Sequence, residues 1–318
     1  MATEIRGSYT VTVTPFTGTG AVDLDALASF LEWQVESGVP GVIVLGSTGE
    51  YITLSEDERT AIVETTTRTT AGRIKVFVGA TNVYTPRAVR FAQEAERLGA
   101  DGVMVLPPYY YTPTDDEIWR YYKAISEGIQ IPVMLYNNPV TSNVDMSAAL
   151  VGRLTRDFEN IRYIKESSQD VARVRDVIEA TDGVMNVFAG ERQVDSYLLG
   201  AIGYVNPYGN YIVNSYRVWD LLVAGRVEEG RSLQMIIDQL DRIWAAGHPT
   251  YGHQCYSKAL AAAVSHPVGD VREPLTTFAQ LGAEGVERRD QMIELIKKFD
   301  ARLAEIEQGA RTRVSNTV

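Results

Sequence analysis

In the stretch GVIVLGSTGEYITLSEDERTAIVETTTRTTAGRIKVFVG (41–79), two short apolar runs, 41–46 and 74–79, flank a longer polar segment that carries helix signals. Apolar, β-branched runs of four to six residues suit strands buried on both faces, as parallel strands are. Ser55 opens the segment between the runs and Glu58 follows three residues later, the spacing of a capping box. Gly72 supplies a helix stop before the second run. The stretch therefore reads as strand, helix, strand.

The same unit recurs along the chain. Further apolar runs stand at 9–15, 102–107, 131–136, 161–167, 184–190 and 202–207, which makes eight in all. Between them, Leu24, Leu27, Phe30, Leu31 and Val35 recur at helical spacing, Thr85-Pro86 opens a segment with proline at a first helical position, and Asp115, Ser147 and Asp170 start others. Gly38, Gly99, Gly128, Gly183 and Gly200 end segments as Gly72 does. Strand–helix units repeated eight times close as a (β/α)8 barrel or lie in a doubly wound open sheet. The open dinucleotide-binding sheet calls for G-x-G-x-x-G after an early strand, and GSTGE (46–50) lacks that spacing. The expected fold is thus an α/β TIM barrel of strands and helices over 1–212. Residues 213–308 are expected to hold the last barrel helix and extra C-terminal helices packed on the barrel, and the polar stretch 309–318 to fray.

With 318 residues, 45% of them hydrophobic, the chain can bury a large core, and a single barrel of about 250 residues or more is ordinary. The net charge of −11 argues against a nucleic-acid partner. No run of 18 apolar residues reads as a membrane span, and the N-terminal residues lack the pattern of a secretory signal. One cysteine, Cys255, cannot form a disulfide within the chain, so the expected address is cytoplasmic. His248, His253, His266 and Cys255 match no metal-ligand spacing, and no metal site is expected.

In such a barrel the reacting groups sit at the C-terminal ends of the strands. Of six lysines, only Lys165, in IRYIKES (161–167), lies at the exit of an apolar strand. Alternation puts Ile161, Tyr163 and Lys165 on one face. Burial there disfavours the ammonium form, and a neutral amine can attack a ketone to form an imine. The competing reading is a lysine paired with a carboxylate such as Glu166, but Glu166 points to the other face. Tyr136, at the end of IPVMLYNNP (131–139), is a candidate proton shuttle; a core or rim tyrosine is the alternative. The small residues of GSTGE let the backbone approach a ligand, and Ser47, Thr48 and nearby N–H groups can grip a carboxylate, unless the segment is merely a tight turn. Three tyrosines in LPPYYYTPTDD (106–116) suit a lid, an interface or a proton relay.

Together, GSTGE, PPYYY, YNNP and IKES, in that order, resemble the dihydrodipicolinate synthase / N-acetylneuraminate lyase family of class I aldolases over about residues 5–300. The resemblance implies that Lys165 is the Schiff-base lysine, Tyr136 the general acid/base, and Ser47 and Thr48 the pair that contacts the keto-acid carboxylate and relays protons, with Gly46 beside them. It implies that Tyr110 reaches across a subunit interface, that Gly190 lines the pocket and that Val205 neighbours the lysine. It further implies a homotetramer, a small 2-keto acid substrate, and neither cofactor nor metal. Two departures bear on substrate. Where the synthase branch carries an arginine for the incoming semialdehyde's carboxylate, this chain has Thr141, and where many members have serine it has Asn206. Asn138, Asn206 and Asn210 offer amide donors suited to hydroxyls. The expected function is a lyase that yields or uses pyruvate through a lysine imine, with protons moving from Tyr136 through Thr48. A 2-keto-3-deoxy sugar acid dehydratase using the same imine is the nearest alternative, and a non-catalytic ligand-binding barrel is the alternative of another kind.

Overall fold

A computed structural model describes residues 5–247 and 252–315, with side chains to residue 310. Its eight strands are β1 Gly7–Val11, β2 Gly41–Val44, β3 Lys75–Gly79, β4 Gly102–Val105, β5 Val133–Asn137, β6 Ile161–Glu166, β7 Asn186–Ala189 and β8 Gly203–Asn206. Each pairs in parallel with its neighbours in sequence, and β8 returns to β1, so the sheet is a closed barrel. Parallel neighbours need crossover connections, and these are helices: α1 Leu24–Glu36, α2 Glu56–Thr70, α3 Thr85–Arg97, α4 Asp115–Gly128, α5 Pro139–Ser142 with α6 Ala148–Asp157, α7 Arg173–Ala180 and α8 Gln193–Leu198. After β8 come α9 Arg217–Val223, α10 Val227–Gly247, α11 His253–Ala263 and α12 Gly282–Ser315.

The sequence signals act locally as their chemistry requires. Asp23 caps α1, its side chain accepting from the Ala26 N–H at 2.9 Å. Ser55 and Glu58 cap α2 reciprocally, and Thr114 and Glu117 do the same for α4. Asp170 does not start a helix; it forms a turn, accepting from the Ala172 N–H, and α7 begins three residues later. The stretch expected to fray is helical as far as Ser315, because α12 continues through it. His248 lies outside the described residues. Among the described residues no helix is long and apolar enough to cross a membrane.

Alternation along the strands separates two cores. Val42, Val44, Val103, Val105, Val133, Leu135, Ile164 and Val187 face outward to the helices, and Leu233, Ile237, Leu240, Leu260 and Phe299 of the C-terminal helices join the same outer core. Tyr9, Val11, Ile43, Phe77, Met104, Met134, Tyr136, Phe188 and Val205 fill the barrel. Its floor is a ring of aromatics, with Tyr9 meeting Phe77 and Phe188 edge-on at centroid distances of 6.1 and 5.2 Å, and Tyr163 meeting Phe77 and Phe188 at 6.1 Å each. Glycines make room for these rings: a Cβ at Gly41 would stand 2.7 Å from Tyr9, and one at Gly203 would stand 2.3 Å from Phe188. The packed aromatic floor makes the barrel a cup whose mouth lies at the C-terminal ends of the strands.

Ile161 corrects the expected alternation on β6. It pairs with Val133 and belongs to the outer core, whereas Tyr163 pairs with the next residue, Met134, and faces inward. Arg162 is thus the extra residue of a β-bulge, which shifts the parity of everything after it. Lys165 faces the barrel mouth with Tyr163, not with Ile161.

Candidate active site

Lys165 is reached by the end of β6 and Tyr136 by the end of β5, and the two residues are cross-strand partners in the register. The Lys165 Nζ lies 3.9 Å from the centroid of the Tyr136 ring. Tyr136 is 4% exposed. Burial pushes its phenol up, but the charge of Lys165 and hydrogen bonding with Lys165, Asn138 and Ser47 outweigh burial, so the net direction is down. The Asn138 amide Nδ2 donates to the phenol oxygen at 2.9 Å. That places an amine, an acidified phenol and a serine hydroxyl around one point in the mouth.

Glu166 is not the lysine's partner. Its carboxylate accepts from Asn137 Nδ2 at 3.1 Å and from the Ser168 N–H at 2.7 Å, on the outer side of the strand. Asn137 in turn bonds Asp145 and the Met146 N–H, so the exits of β5 and β6 are tied to the segment that leads into α6.

Residues 45–50 form the opposite wall. Leu45 turns at φ +58°, an uncommon conformation for a side-chain-bearing residue. Gly79 on β3 makes the turn possible, since a Cβ there would stand 2.0 Å from the Leu45 carbonyl oxygen. The Gly46 carbonyl accepts from the Gly49 N–H at 3.0 Å, and the Ser47 carbonyl from the Glu50 N–H at 3.1 Å. Among the described residues, the N–H groups of Ser47 and Thr48 donate to no protein acceptor. Successive uncommitted N–H groups on a tight turn suit a carboxylate. The expected proton path through Thr48 needs correction: the hydroxyl that bonds Tyr136 is that of Ser47, and the Thr48 hydroxyl is turned to His253 Nε2 at 3.0 Å. One residue's change of direction along the turn accounts for the exchange.

Gly190 follows β7, where a Cβ would stand 1.9 Å from the Ser167 hydroxyl, so glycine keeps the backbone close to the lysine's loop. Val205 is 1% exposed and shares the inner core with Tyr136. Thr141 sits exposed on the rim, its hydroxyl donating to the Asn138 carbonyl at 3.4 Å. Tyr110 does not enter the mouth of its own chain; it is 80% exposed and packs edge-on against Tyr111.

Asn206 is not available to a substrate. It faces outward, donating to Ser8 and Ser215 and accepting from the N–H groups of Tyr208 and Gly209, so every donor and acceptor position is used. Asn210 is likewise committed, to Val11, Val13 and Pro207. Both amides knit β8 to β1 from behind.

Two groups escaped the sequence reading. Glu191 follows Gly190 and is pushed up to about 7 by burial first and by the neighbouring charge of Glu166, against the pull of Lys165. An acid directly after a strand-exit glycine was a visible signal. His253 comes from α11, far along the chain, and carried no local signal. Among the described residues no cluster of three metal-ligating side chains occurs.

A family model described as the dihydrodipicolinate synthetase family matches residues 4–292. A 4-hydroxy-tetrahydrodipicolinate synthase of Syntrophus aciditrophicus is 31% identical over 295 residues, covering 92% of this chain and 99% of its own. The structure of the 4-hydroxy-tetrahydrodipicolinate synthase of Methylacidiphilum fumariolicum SolV superposes with a TM-score of 0.87 at 30% identity, over 96% of this chain and 99% of that one. That of a chloride-inhibited dihydrodipicolinate synthase from Acinetobacter baumannii, complexed with pyruvate, gives 0.85 at 29% identity, over 92% and 99%.

Proposed function

The chain belongs to the dihydrodipicolinate synthetase family, and on that premise we propose that Lys165 carries its chemistry as a Schiff base with a 2-keto acid. The enzyme is a pyruvate-using lyase of the class I aldolase type. The observation that carries the assignment of residues is the Lys165 amine 3.9 Å over the Tyr136 ring at the mouth of a closed cup.

In the proposed mechanism the Lys165 amine adds to C2 of the keto acid. Tyr136, hydrogen-bonded to Ser47, gives a proton to the departing hydroxyl, and water leaves. The protonated imine draws electrons from C3, which becomes an enamine once a proton or an aldehyde departs. The enamine then takes up a proton, adds an aldehyde or expels a hydroxide, according to substrate. The N–H groups of Ser47 and Thr48 hold the carboxylate, and Gly190 and Val205 shape the wall beside the imine. Borohydride reduction with pyruvate, followed by peptide mass mapping, is expected to add mass to the peptide containing Lys165. Active protein that gains no mass there would overturn the assignment.

The second substrate is proposed to lack the carboxylate that an arginine would bind, since Thr141 offers no charge at that place on the rim. This favours a hydroxylated keto acid, cleaved or dehydrated through the same imine. Free pyruvate released from 2-keto-3-deoxy sugar acids would indicate cleavage, and loss of water without pyruvate would indicate dehydration. Tyr110 is proposed to act in a neighbouring subunit of a homotetramer, consistent with its exposure here.

A further inference from the structure

Helix α11 lies outside the barrel, yet it holds the 46–50 turn at three points. His253 Nε2 meets the Thr48 hydroxyl at 3.0 Å, Gln254 Nε2 donates to the Ser47 carbonyl at 3.1 Å, and Lys258 Nζ pairs with Glu50 at 2.7 Å. The first contact bears directly on chemistry. A hydroxyl has one proton and two lone pairs, whereas a carboxylate only accepts. Thr48 can therefore serve a substrate carboxylate only by donating its proton toward the mouth. It must then receive a hydrogen bond from elsewhere, and at 5% exposure that partner is the protein.

We propose that His253 is a positioning residue for the substrate carboxylate: its Nε2–H donates to Thr48, which turns the threonine proton toward the keto acid. The opposite arrangement, Thr48 donating to a bare Nε2, would aim hydroxyl lone pairs at an anion. The imidazole is held in place by its position at the start of α11 and by the Trp244 ring, 5.4 Å away between centroids. The chain of donors runs from the C-terminal helices into the barrel, so the residue that orders the binding turn is supplied more than 200 positions later in sequence. Residues that touch the reacting atoms are unchanged by this assignment; His253 acts through Thr48.

The inference rests on the reading that Ser47 and Thr48 hold the carboxylate, and its test separates the two. Borohydride trapping on Lys165 is titrated with pyruvate and with methyl pyruvate, a ketone whose carboxylate is masked. His253→Ala is expected to raise the half-saturating pyruvate concentration about tenfold, the worth of one hydrogen bond, while methyl pyruvate is trapped as before. His253→Gln, which retains an amide donor, is expected to recover most of the loss. Thr48→Val examines the same link while leaving α11 intact, and is expected to weaken pyruvate trapping by a similar factor. In turnover, His253→Ala should raise KM for the keto acid with kcat little changed. Equal loss for both ketones, or unaltered pyruvate trapping in either His253→Ala or Thr48→Val, would overturn the proposal. Absence of trapping in the unsubstituted protein would overturn the imine assignment itself, and this inference with it.

Discussion

Tyr136 is the residue on which the proposed proton transfers converge. Tyr136→Phe leaves the ring under the Lys165 amine but removes the acid, so turnover is expected to fall about 10²–10⁴-fold, the usual range for a positioned acid/base. An unchanged steady-state rate would take the phenol out of the mechanism. Glu191 supports a prediction of the opposite kind, about stability. Burial, with the charge of Glu166 beside it, pushes its carboxyl up to about 7 in the folded chain, from an ordinary 4.5. Below about 4.5 both states hold the proton and the residue contributes nothing. As pH rises to 7 the folded chain retains a proton that the unfolded chain has lost, so stability declines across that window and the penalty persists above it. Glu191→Gln should therefore raise the melting temperature at pH 8 and leave it unchanged at pH 4; equal shifts at both would contradict the burial argument. At this scale the positions of Lys165 and Tyr136, at adjacent strand exits, were readable in the sequence, because short apolar runs mark where strands end. Asn206 was misread because one register position decides between mouth and outer wall, and composition does not reveal which.

Among the elements, the strand-and-helix succession was legible because parallel strands demand continuous apolar runs and helices demand caps, both of which are local. What was not legible is pairing at a distance: the bulge at Arg162 that returns Lys165 to the inner face, and the grip of α11 on the 46–50 turn. The buried pair Glu50–Lys258 measures that grip. Its side chains are 0% and 1% exposed, Lys258 also donates to the Asp270 carbonyl at 2.9 Å, and Glu50 accepts from the Arg272 N–H at 2.9 Å. Burial pushes the Lys258 ammonium down, with the charge of Glu50 opposing it. Removing one partner strands the other in a dry site, so Glu50→Gln is expected to destabilise by about 3–5 kcal/mol. Adding Lys258→Met to Glu50→Gln should return a large part of that stability, because no buried charge remains. Denaturant unfolding of the two single variants and the double variant checks this; additive losses would mean that the pair is not coupled.

The molecule as a whole leaves an apolar patch uncovered. Tyr110 and Tyr111 are each 80% exposed, and they line a groove of about 800 Å³ together with Val83, Pro113 and Tyr121, next to which Tyr84 is 63% exposed. Large aromatics at such exposure mark an association surface more often than a solvated one. If a second copy covers this patch and Tyr110 completes the neighbour's site, two defective chains can repair one another. A chain carrying Lys165→Ala supplies an intact Tyr110 but no amine, and a chain carrying Tyr110→Phe supplies the amine but not the phenol. Each is expected to be nearly inactive alone. After dissociation and reassembly of an equal mixture, half the pairs are mixed and each contains one complete site, so activity should return to about a quarter of the unsubstituted level for a symmetric pairwise interface. Sedimentation velocity on the same mixture establishes that the subunits have associated. Tyr110→Phe protein that retains full activity alone would show that the phenol has no part in turnover. Inactive variants that associate but never complement would place Tyr110 in the site of its own chain, against the exposed geometry that the unpartnered subunit displays.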